Sequence, residues 1–161
     1  MALTQQEKRT RITRYSLAVI DGTIGTTLFP SVAMAQLILE TGYMQHVVGN
    51  NLYGIKAAGA KTPYWDGSFV QAGTQEYVDG QPGNYSLKFR KYASELDSVK
   101  DRTAFLQTNG RYKNVFTATT PEAQCYELQK GGYATAPQYA ATLVSIIKSW
   151  NLYELDKKKV S

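Results

Sequence analysis

The sequence predicts a mainly α fold of the α+β class, in which helices enclose a small β lobe within one domain spanning residues 1–161. Three observations predict it. Helical apolar patterns occupy both ends of the chain, whereas a segment of about residues 60–92 is rich in Gly, Pro and Tyr and has alternating character. The chain of 161 residues, 43% hydrophobic and 19% charged, has the length and composition of one compact core. A cleft between the helices and the lobe is the expected site.

The first two predicted helices differ in their burial. Residues 5–20 place apolar side chains behind a basic stretch, which indicates an amphipathic helix that ends at Asp21-Gly22. The second helix follows Pro30, with Ser31 as the expected N-cap, and Thr41-Gly42 ends it. It is apolar on nearly every side, so we expect it to lie in the core.

The middle segment contains two turn signals, Asp79-Gly80 and Pro82-Gly83, between stretches of alternating residues. Three helix starts follow it, each marked by a cap residue or a proline: Ser94, Thr120-Pro121 and Pro137. The last of these helices is expected to run to Leu155. The order of elements is therefore helices, β lobe, helices.

The net charge of +5, from 18 Lys and Arg against 13 Asp and Glu, favours an anionic partner such as nucleic acid, a membrane or a wall polymer. No nucleic-acid-binding motif or long basic face is present, so nucleic acid is not the expected partner. The longest apolar run near the start, residues 17–20, is too short for a signal sequence or a membrane span. We therefore expect no membrane insertion, and no export route is visible.

Two kinds of catalytic site are disfavoured by the residues available. With one Cys and one His, the chain has no disulfide framework and no recognisable metal-ligand spacing, so no metal or cofactor is expected. A cysteine peptidase would pair Cys125 with His46. Cys125 lies within a helical stretch that has no nucleophile-positioning context, so a buried structural thiol is the favoured interpretation.

Glu40 is the candidate for acid chemistry. It closes the buried second helix, so its carboxyl faces apolar neighbours and the negative end of the helix dipole, and both favour the protonated form. A proton held near neutral pH is what glycoside cleavage requires. Taken alone, a glutamate at a helix end is more often solvated or ion-paired.

Five segments around and after Glu40 carry a family resemblance. They are AQLILETGY (35–43), VVGNNLYGIKA (47–57), TQEYVDG (74–80), KFRKYASELDSVKDR (88–102) and GGYATAPQYA (131–140). In this order the segments resemble glycoside hydrolase family 73, the bacterial peptidoglycan N-acetylglucosaminidases, over about residues 28–152. Several motifs in one order are much more specific than any one of them.

The resemblance implies a lysozyme-like fold in which Glu40 protonates the glycosidic oxygen between N-acetylglucosamine and N-acetylmuramic acid of peptidoglycan glycan strands. It implies that Glu76 is a second carboxylate from the β lobe and that Tyr133 lines the cleft near the acid. Whether a second carboxylate activates water or the substrate's own acetamido group attacks the anomeric carbon stays open. Because this polymer lies outside the cytoplasmic membrane, the expected site of action is the periplasm or cell wall.

Four further residues are candidates for substrate binding: Asn51, Tyr53, Tyr77 and Tyr139. Asn51 is expected mainly to fix its own loop through the side-chain amide. The chain departs from the family pattern at residues 44–46, and at Ala136, where an Asp that would brace the last helix is common. A lytic transglycosylase and a non-catalytic wall-binding protein are the alternatives.

Overall fold

The computed structural model describes residues 2–78 and 81–160, with the side chains of residues 74–78 and 81–85 outside the description. Its elements in chain order are α1 (Gln5–Asp21), α2 (Pro30–Thr41), β1 (Phe69–Val78), β2 (Gln81–Arg90), α3 (Glu95–Thr108), a 3₁₀ helix (Gly110–Thr117), α4 (Pro121–Lys130), α5 (Tyr139–Ser149) and α6 (Tyr153–Lys158). The predicted mainly helical α+β architecture with a small β lobe is confirmed. That the chain forms a single domain stays a prediction.

The second helix, α2, is the centre of the core. Most of its side chains are buried, among them Met34 and Leu37, which have no exposed surface. Helices α1, α4, α5 and α6 all pack against it. It ends where predicted, because Gly42 adopts a left-handed φ of 56° and its N–H donates to the carbonyl of Ile38. Glu40 lies in the last turn of this helix, two residues before Gly42.

The predicted N-cap of α2 is wrong. The helix begins at Pro30, so Phe29 is the N-cap and Ser31 lies inside the first turn. Asp156 of α6 accepts hydrogen bonds from the backbone N–H of Ser31 at 2.8 Å and from its hydroxyl at 2.7 Å. A carboxylate from a distant helix therefore takes the place of a local cap. The positive end of the α2 dipole stabilises its negative charge.

Strands β1 and β2 form an antiparallel hairpin in which Phe69 pairs with Arg90 and Val78 with Gln81. The predicted turn at Asp79-Gly80 lies outside the described residues. The predicted turn at Pro82-Gly83 is wrong, because these residues belong to β2, where Pro82 pairs with Tyr77. In a two-stranded sheet both strands are edge strands, and edge strands tolerate proline.

The later helices begin mainly where their caps predict. The hydroxyl of Ser94 accepts from the N–H of Asp97 at the start of α3, and Thr120 does the same for Ala123 at the start of α4. The single last helix predicted from Pro137 to Leu155 is wrong. It is divided into α5 and α6 by a turn at residues 150–152, in which Asn151 takes a left-handed φ of 49° and its two neighbours are buried.

A buried ion pair joins the base of the β lobe to the helices. Arg90, the last residue of β2, donates to the carboxylate of Asp101 of α3 at 2.8 Å, and both side chains are buried. The same carboxylate accepts hydroxyl hydrogen bonds from Tyr92 and Thr62, each at 2.5 Å. Another guanidinium nitrogen of Arg90 donates to the carbonyl of Ala58 at 2.6 Å. The lobe and residues 56–58 are thereby fixed relative to α3.

Candidate active site

Glu40 lies one residue before the end of α2, at the surface of a cleft. The residue as a whole is exposed, yet protein atoms crowd one side of its carboxyl, and this desolvation raises the pKa of Glu40 to about 7. Among the described residues none donates a hydrogen bond to the carboxyl, so no such bond opposes the shift. A carboxyl group that is half protonated near neutral pH and open to solvent on one side can donate a proton to a ligand.

Gly54 packs closely against the carboxyl of Glu40. This glycine has a φ of 64°, and a Cβ built on it would overlap the Oε1 of Glu40 and lie 3.0 Å from its Cδ. Only glycine combines this backbone conformation with so close an approach. The glycine of the NNLYGIK segment is therefore the wall against which the carboxyl rests.

Asn51 holds that segment in place. Its side-chain N–H groups donate to the carbonyls of Ile55 and Arg90, each at 2.9 Å, and its oxygen accepts from the N–H groups of Tyr53 and Ile55. Both amide donors are used within the protein, so neither is available to a sugar. The loop-fixing role expected for Asn51 fits this geometry, and a role for Asn51 in substrate binding stays a prediction.

Tyr133 forms one side of the cleft and is supported from behind. Its ring stacks on that of Tyr139, with centroids 6.0 Å apart and an interplanar angle of 16°. The hydroxyl of Tyr139 accepts from Gln36 at 2.7 Å, and the oxygen of Gln36 accepts from the Nε of Arg102 at 2.7 Å. Because Tyr139 is buried, its ring supports the ring of Tyr133 and has little surface to offer a ligand.

Arg102 is a fully buried cation behind this tyrosine pair. Its Nη1 and Nη2 have no hydrogen-bond partner among the described residues, and its guanidinium lies 5.4 Å from the ring centroid of Tyr53. Tyr53 is itself buried and donates to the carbonyl of Ala33 at 3.1 Å. Burial raises the pKa of Tyr53 to about 12 and that of Tyr133 well above its ordinary value, so both phenols keep their protons at neutral pH.

Two cavities meet at Glu40. The first, here called the tyrosine cavity, has a volume of about 560 Å³ and is lined by Glu40, Tyr53, Lys56, Phe105, Arg111 and Tyr133, among others. The second, the histidine cavity, has a volume of about 230 Å³ and is lined by Glu40, His46, Val48, Asn51, Ala72 and Phe89, among others. Gly54 and Phe89 also line both. The carboxyl of Glu40 is therefore accessible from both arms of one cleft.

The β lobe forms part of this cleft through the backbone and through the side chains that are described. Ala72 and Gly73 of β1 and Phe89 of β2 line the histidine cavity. Glu76 lies on β1 opposite Gly83, and Tyr77 follows it. The side chains of Glu76 and Tyr77 lie outside the described residues, so their proposed roles stay predictions.

The other candidate chemistries find no support in this geometry. Cys125 is buried in α4, and burial raises the pKa of its thiol to about 12, which disfavours the thiolate a peptidase would need. Within the described part of the chain, no group of three or more His, Cys, Asp or Glu side chains is placed to hold a metal ion. No helix in that part is both long and apolar enough to cross a membrane.

A further cavity of about 510 Å³ lies elsewhere, lined by Asp21, Tyr64 and Lys100 among others. Neither Glu40 nor Tyr133 lines it, and its volume is smaller than the 560 Å³ of the tyrosine cavity. Sequence reasoning missed Arg111 and Gln36, which line or support the cleft. Gln36 lies within the AQLILETGY segment, and its amide in an otherwise apolar helix was the available signal.

A helical body, a β hairpin beside it and a glutamic acid with a raised pKa at the cleft surface are the arrangement that a lysozyme-like glycoside hydrolase requires. The comparisons with known proteins agree. Residues 19–152 match the family model Glucosaminidase, described as mannosyl-glycoprotein endo-beta-N-acetylglucosaminidase. The chain therefore belongs to this glucosaminidase family, glycoside hydrolase family 73, and the predicted membership and lysozyme-like fold are confirmed.

The chain is similar in sequence and in structure to several bacterial peptidoglycan hydrolases. Peptidoglycan hydrolase FlgJ of Pseudomonas aeruginosa is 37% identical over an alignment of 129 residues, which covers 75% of this chain and 31% of that protein. The catalytic domain of the autolysin Auto from Listeria monocytogenes has a TM-score of 0.80 and 30% identity, covering 97% of this chain and 91% of that one. A truncated glycoside hydrolase domain of Salmonella typhimurium FlgJ has a TM-score of 0.72 and 32% identity, covering 89% and 97%. The chain spans about a third of the length of the FlgJ proteins it matches.

Proposed function

We propose that this chain hydrolyses the β-1,4 bond between N-acetylglucosamine and N-acetylmuramic acid in the glycan strands of peptidoglycan, with Glu40 as the general acid. The observation that carries the proposal is the carboxyl of Glu40, whose pKa is raised to about 7 where the two cavities meet. A glycan that occupies both cavities presents a glycosidic oxygen to this carboxyl. The relatives named as peptidoglycan hydrolases support the choice of polymer.

The chemistry required of Glu40 is proton donation to the leaving oxygen as the glycosidic bond breaks. Because cavities extend on both sides of Glu40, a bound glycan strand can continue in both directions. This supports cleavage within a strand. Tyr133 faces the tyrosine cavity with its phenol protonated, so it can donate a hydrogen bond to the sugar or stack against it.

Glu76 is the proposed second carboxylate, from the β lobe. In that role it activates the attacking water or stabilises positive charge on the sugar. Tyr53, Tyr77 and Tyr139 remain proposed sugar contacts, although the burial of Tyr53 and Tyr139 favours a supporting role for these two. Since peptidoglycan lies outside the cytoplasmic membrane, the proposed site of action is the periplasm or cell wall.

The test is a Glu40→Gln variant, which keeps the shape of the side chain and removes the proton-donating group. Loss of a general acid costs roughly 10²- to 10⁴-fold in rate, so wall clearing should fall by that factor while sedimentation with purified wall is retained. Glu154→Gln, a change at an exposed ion pair on α6, is the matched control and should keep full activity. An inactive wild-type chain that still sediments with wall would favour a non-catalytic binding role.

Mass spectrometry of the digestion products identifies the bond and the reaction. Reducing-end N-acetylglucosamine is the expected product of a glucosaminidase. Reducing-end N-acetylmuramic acid would move the cleavage to the other linkage, and 1,6-anhydro-muramic ends would assign a lytic transglycosylase. Either result would overturn the proposed bond cleavage.

A further inference from the structure

The two cavities that meet at Glu40 differ in charge. The tyrosine cavity is lined by three cationic residues, Lys56, Arg90 and Arg111, and Glu40 is the one carboxylic acid among the described residues that line it. In the histidine cavity, no lysine or arginine is among the described lining residues. When Glu40 holds its proton, the charged side chains in the described lining of the tyrosine cavity are all positive.

Arg90 and Arg111 differ in how their charges are used. The guanidinium of Arg90 is paired with Asp101 at 2.8 Å and is buried, so its charge is largely neutralised within the protein. Arg111 is exposed, and no described carboxylate lies within ion-pair distance of it. Its guanidinium lies 4.9 Å from the ring centroid of Tyr112, a side chain that is itself buried.

The position of Arg111 beside the cleft is set by close packing of backbone. A Cβ on Gly131 would lie 2.9 Å from the carbonyl oxygen of Arg111 and 2.7 Å from the Tyr112 ring. Glycine at this position therefore allows the 3₁₀ helix to pack directly against the segment that carries Tyr133. The Nη1 of Arg111 reaches to 4.0 Å from a Cβ built on Gly132. Arg111 and Tyr133 are thus held at one end of the cleft.

We propose that Arg111 binds a carboxylate of the substrate in the tyrosine cavity and so selects glycans that carry carboxylates over neutral polymers of N-acetylglucosamine. The inference rests on the proposed function and adds a determinant of specificity to it. A guanidinium matches a carboxylate with two parallel hydrogen bonds, which a neutral sugar cannot accept in the same way. In peptidoglycan the carboxylate has two sources: the lactyl group of N-acetylmuramic acid in strands without peptides, and the stem peptide in intact wall.

Binding in a catalytically inactive background tests this subsite. Glu40→Gln and the double variant Glu40→Gln/Arg111→Gln are compared for their affinity toward intact peptidoglycan, peptide-free glycan strands and soluble glycol chitin, a neutral polymer. A hydrogen-bonded contact to a charged group contributes roughly tenfold or more in affinity. We expect the Arg111→Gln change to lower the affinity by that factor for at least one carboxylate-bearing polymer. The affinity for glycol chitin should not change.

The control is Glu40→Gln/Lys113→Gln. Lys113 is an exposed cation on the same 3₁₀ helix and is not among the residues lining either cavity, so its removal should leave all three affinities unchanged. A loss confined to peptide-free strands assigns the lactyl carboxylate as the ligand, and a loss confined to intact wall assigns the stem peptide. Arg111→Lys should restore only part of the affinity, because lysine lacks the planar fork.

Unchanged binding to both carboxylate-bearing polymers would overturn the proposal, as would an equal loss on glycol chitin. Because binding is measured without the catalytic acid, the result is independent of bond cleavage. A wild-type chain that cleaves no glycan but binds through Arg111 would remove the proposed hydrolysis and leave this subsite standing.

Discussion

At the scale of single residues, Glu40 owes its properties to neighbours that come from different segments. The helix α2 places it beside the core, and Gly54 closes off one side of its carboxyl. Desolvation raises its pKa, and the negative end of the helix acts in the same direction. The loop can approach this carboxyl closely because Gly54 has no side chain.

Replacing Gly54 with alanine tests this contact. The added methyl group would occupy the space of the Glu40 Oε1, and the φ of 64° disfavours alanine, so the carboxyl must move. A displacement of about 1 Å at a reacting group can cost roughly 10²-fold, and we expect a loss of that size in kcat/KM for wall digestion.

The matched control for this change is Gly110→Ala. Gly110 is exposed, lines neither cavity, and has open space where a Cβ would be placed. This variant should keep activity within a few-fold of the wild type. Equal activity of Gly54→Ala and Gly110→Ala would show that the packing of Gly54 on Glu40 does not matter for catalysis.

Glu40 and Tyr133 became candidates because both lie in segments with a recognisable order of residues, and both line the tyrosine cavity. The sequence indicated that Asn51 fixes its own loop, but it could not show that the same amide also donates to the carbonyl of Arg90 in β2, or that Gln36 links Arg102 to Tyr139. These contacts join residues far apart in the chain, and their geometry depends on how the helices pack.

At the scale of elements, the position of the β lobe depends on the buried carboxylate of Asp101. It receives Arg90 from the end of β2, Tyr92 from the segment after it and Thr62 from the segment before β1. Since Arg90 also holds the carbonyl of Ala58, the residues that follow Gly54 are tied to the same point. The lobe, the loop and α3 are joined there.

An Asp101→Asn variant should lose stability, because it removes the charge that compensates the buried guanidinium of Arg90. Breaking a buried pair in this way typically costs about 3–5 kcal/mol, which denaturant unfolding would measure as a lower midpoint. Arg14→Gln breaks the exposed pair with Glu95 and should cost less than about 1 kcal/mol. Similar midpoints for the two variants would contradict a central role for Asp101.

Local signals predicted elements well where the cap and the helix are neighbours in the chain. Ser94 and Thr120 cap their own helices, and Gly42 ends α2. The start of α2 differs because Asp156, more than a hundred residues away, binds Ser31. The break between α5 and α6 also lacks a proline or glycine, and burial of Trp150 and Leu152 accompanies the left-handed turn there.

At the scale of the whole molecule, the cleft combines a neutral arm and a basic arm with the acid between them. The net charge of +5 favours an anionic polymer, and the tyrosine cavity concentrates part of that charge beside Glu40. The overall fold could be predicted from the pattern of helices and the β segment. The charge difference between the arms could not, because it depends on which distant residues line each cavity.

The central claim is that Glu40 must be protonated to act. Its pKa is raised to about 7, so the active form predominates below that pH and disappears above it. His46 lines the histidine cavity beside Glu40, so a His46→Asn variant must be measured beside the wild type.

The most direct measurement is the pH dependence of kcat/KM on soluble glycan fragments, from pH 5 to 9. We predict a rate that falls tenfold per pH unit above about pH 7 in both the wild type and His46→Asn, since protonated Glu40 is the limiting species. A rate that stays constant to pH 9, or a fall that disappears in His46→Asn, would contradict Glu40 as the general acid.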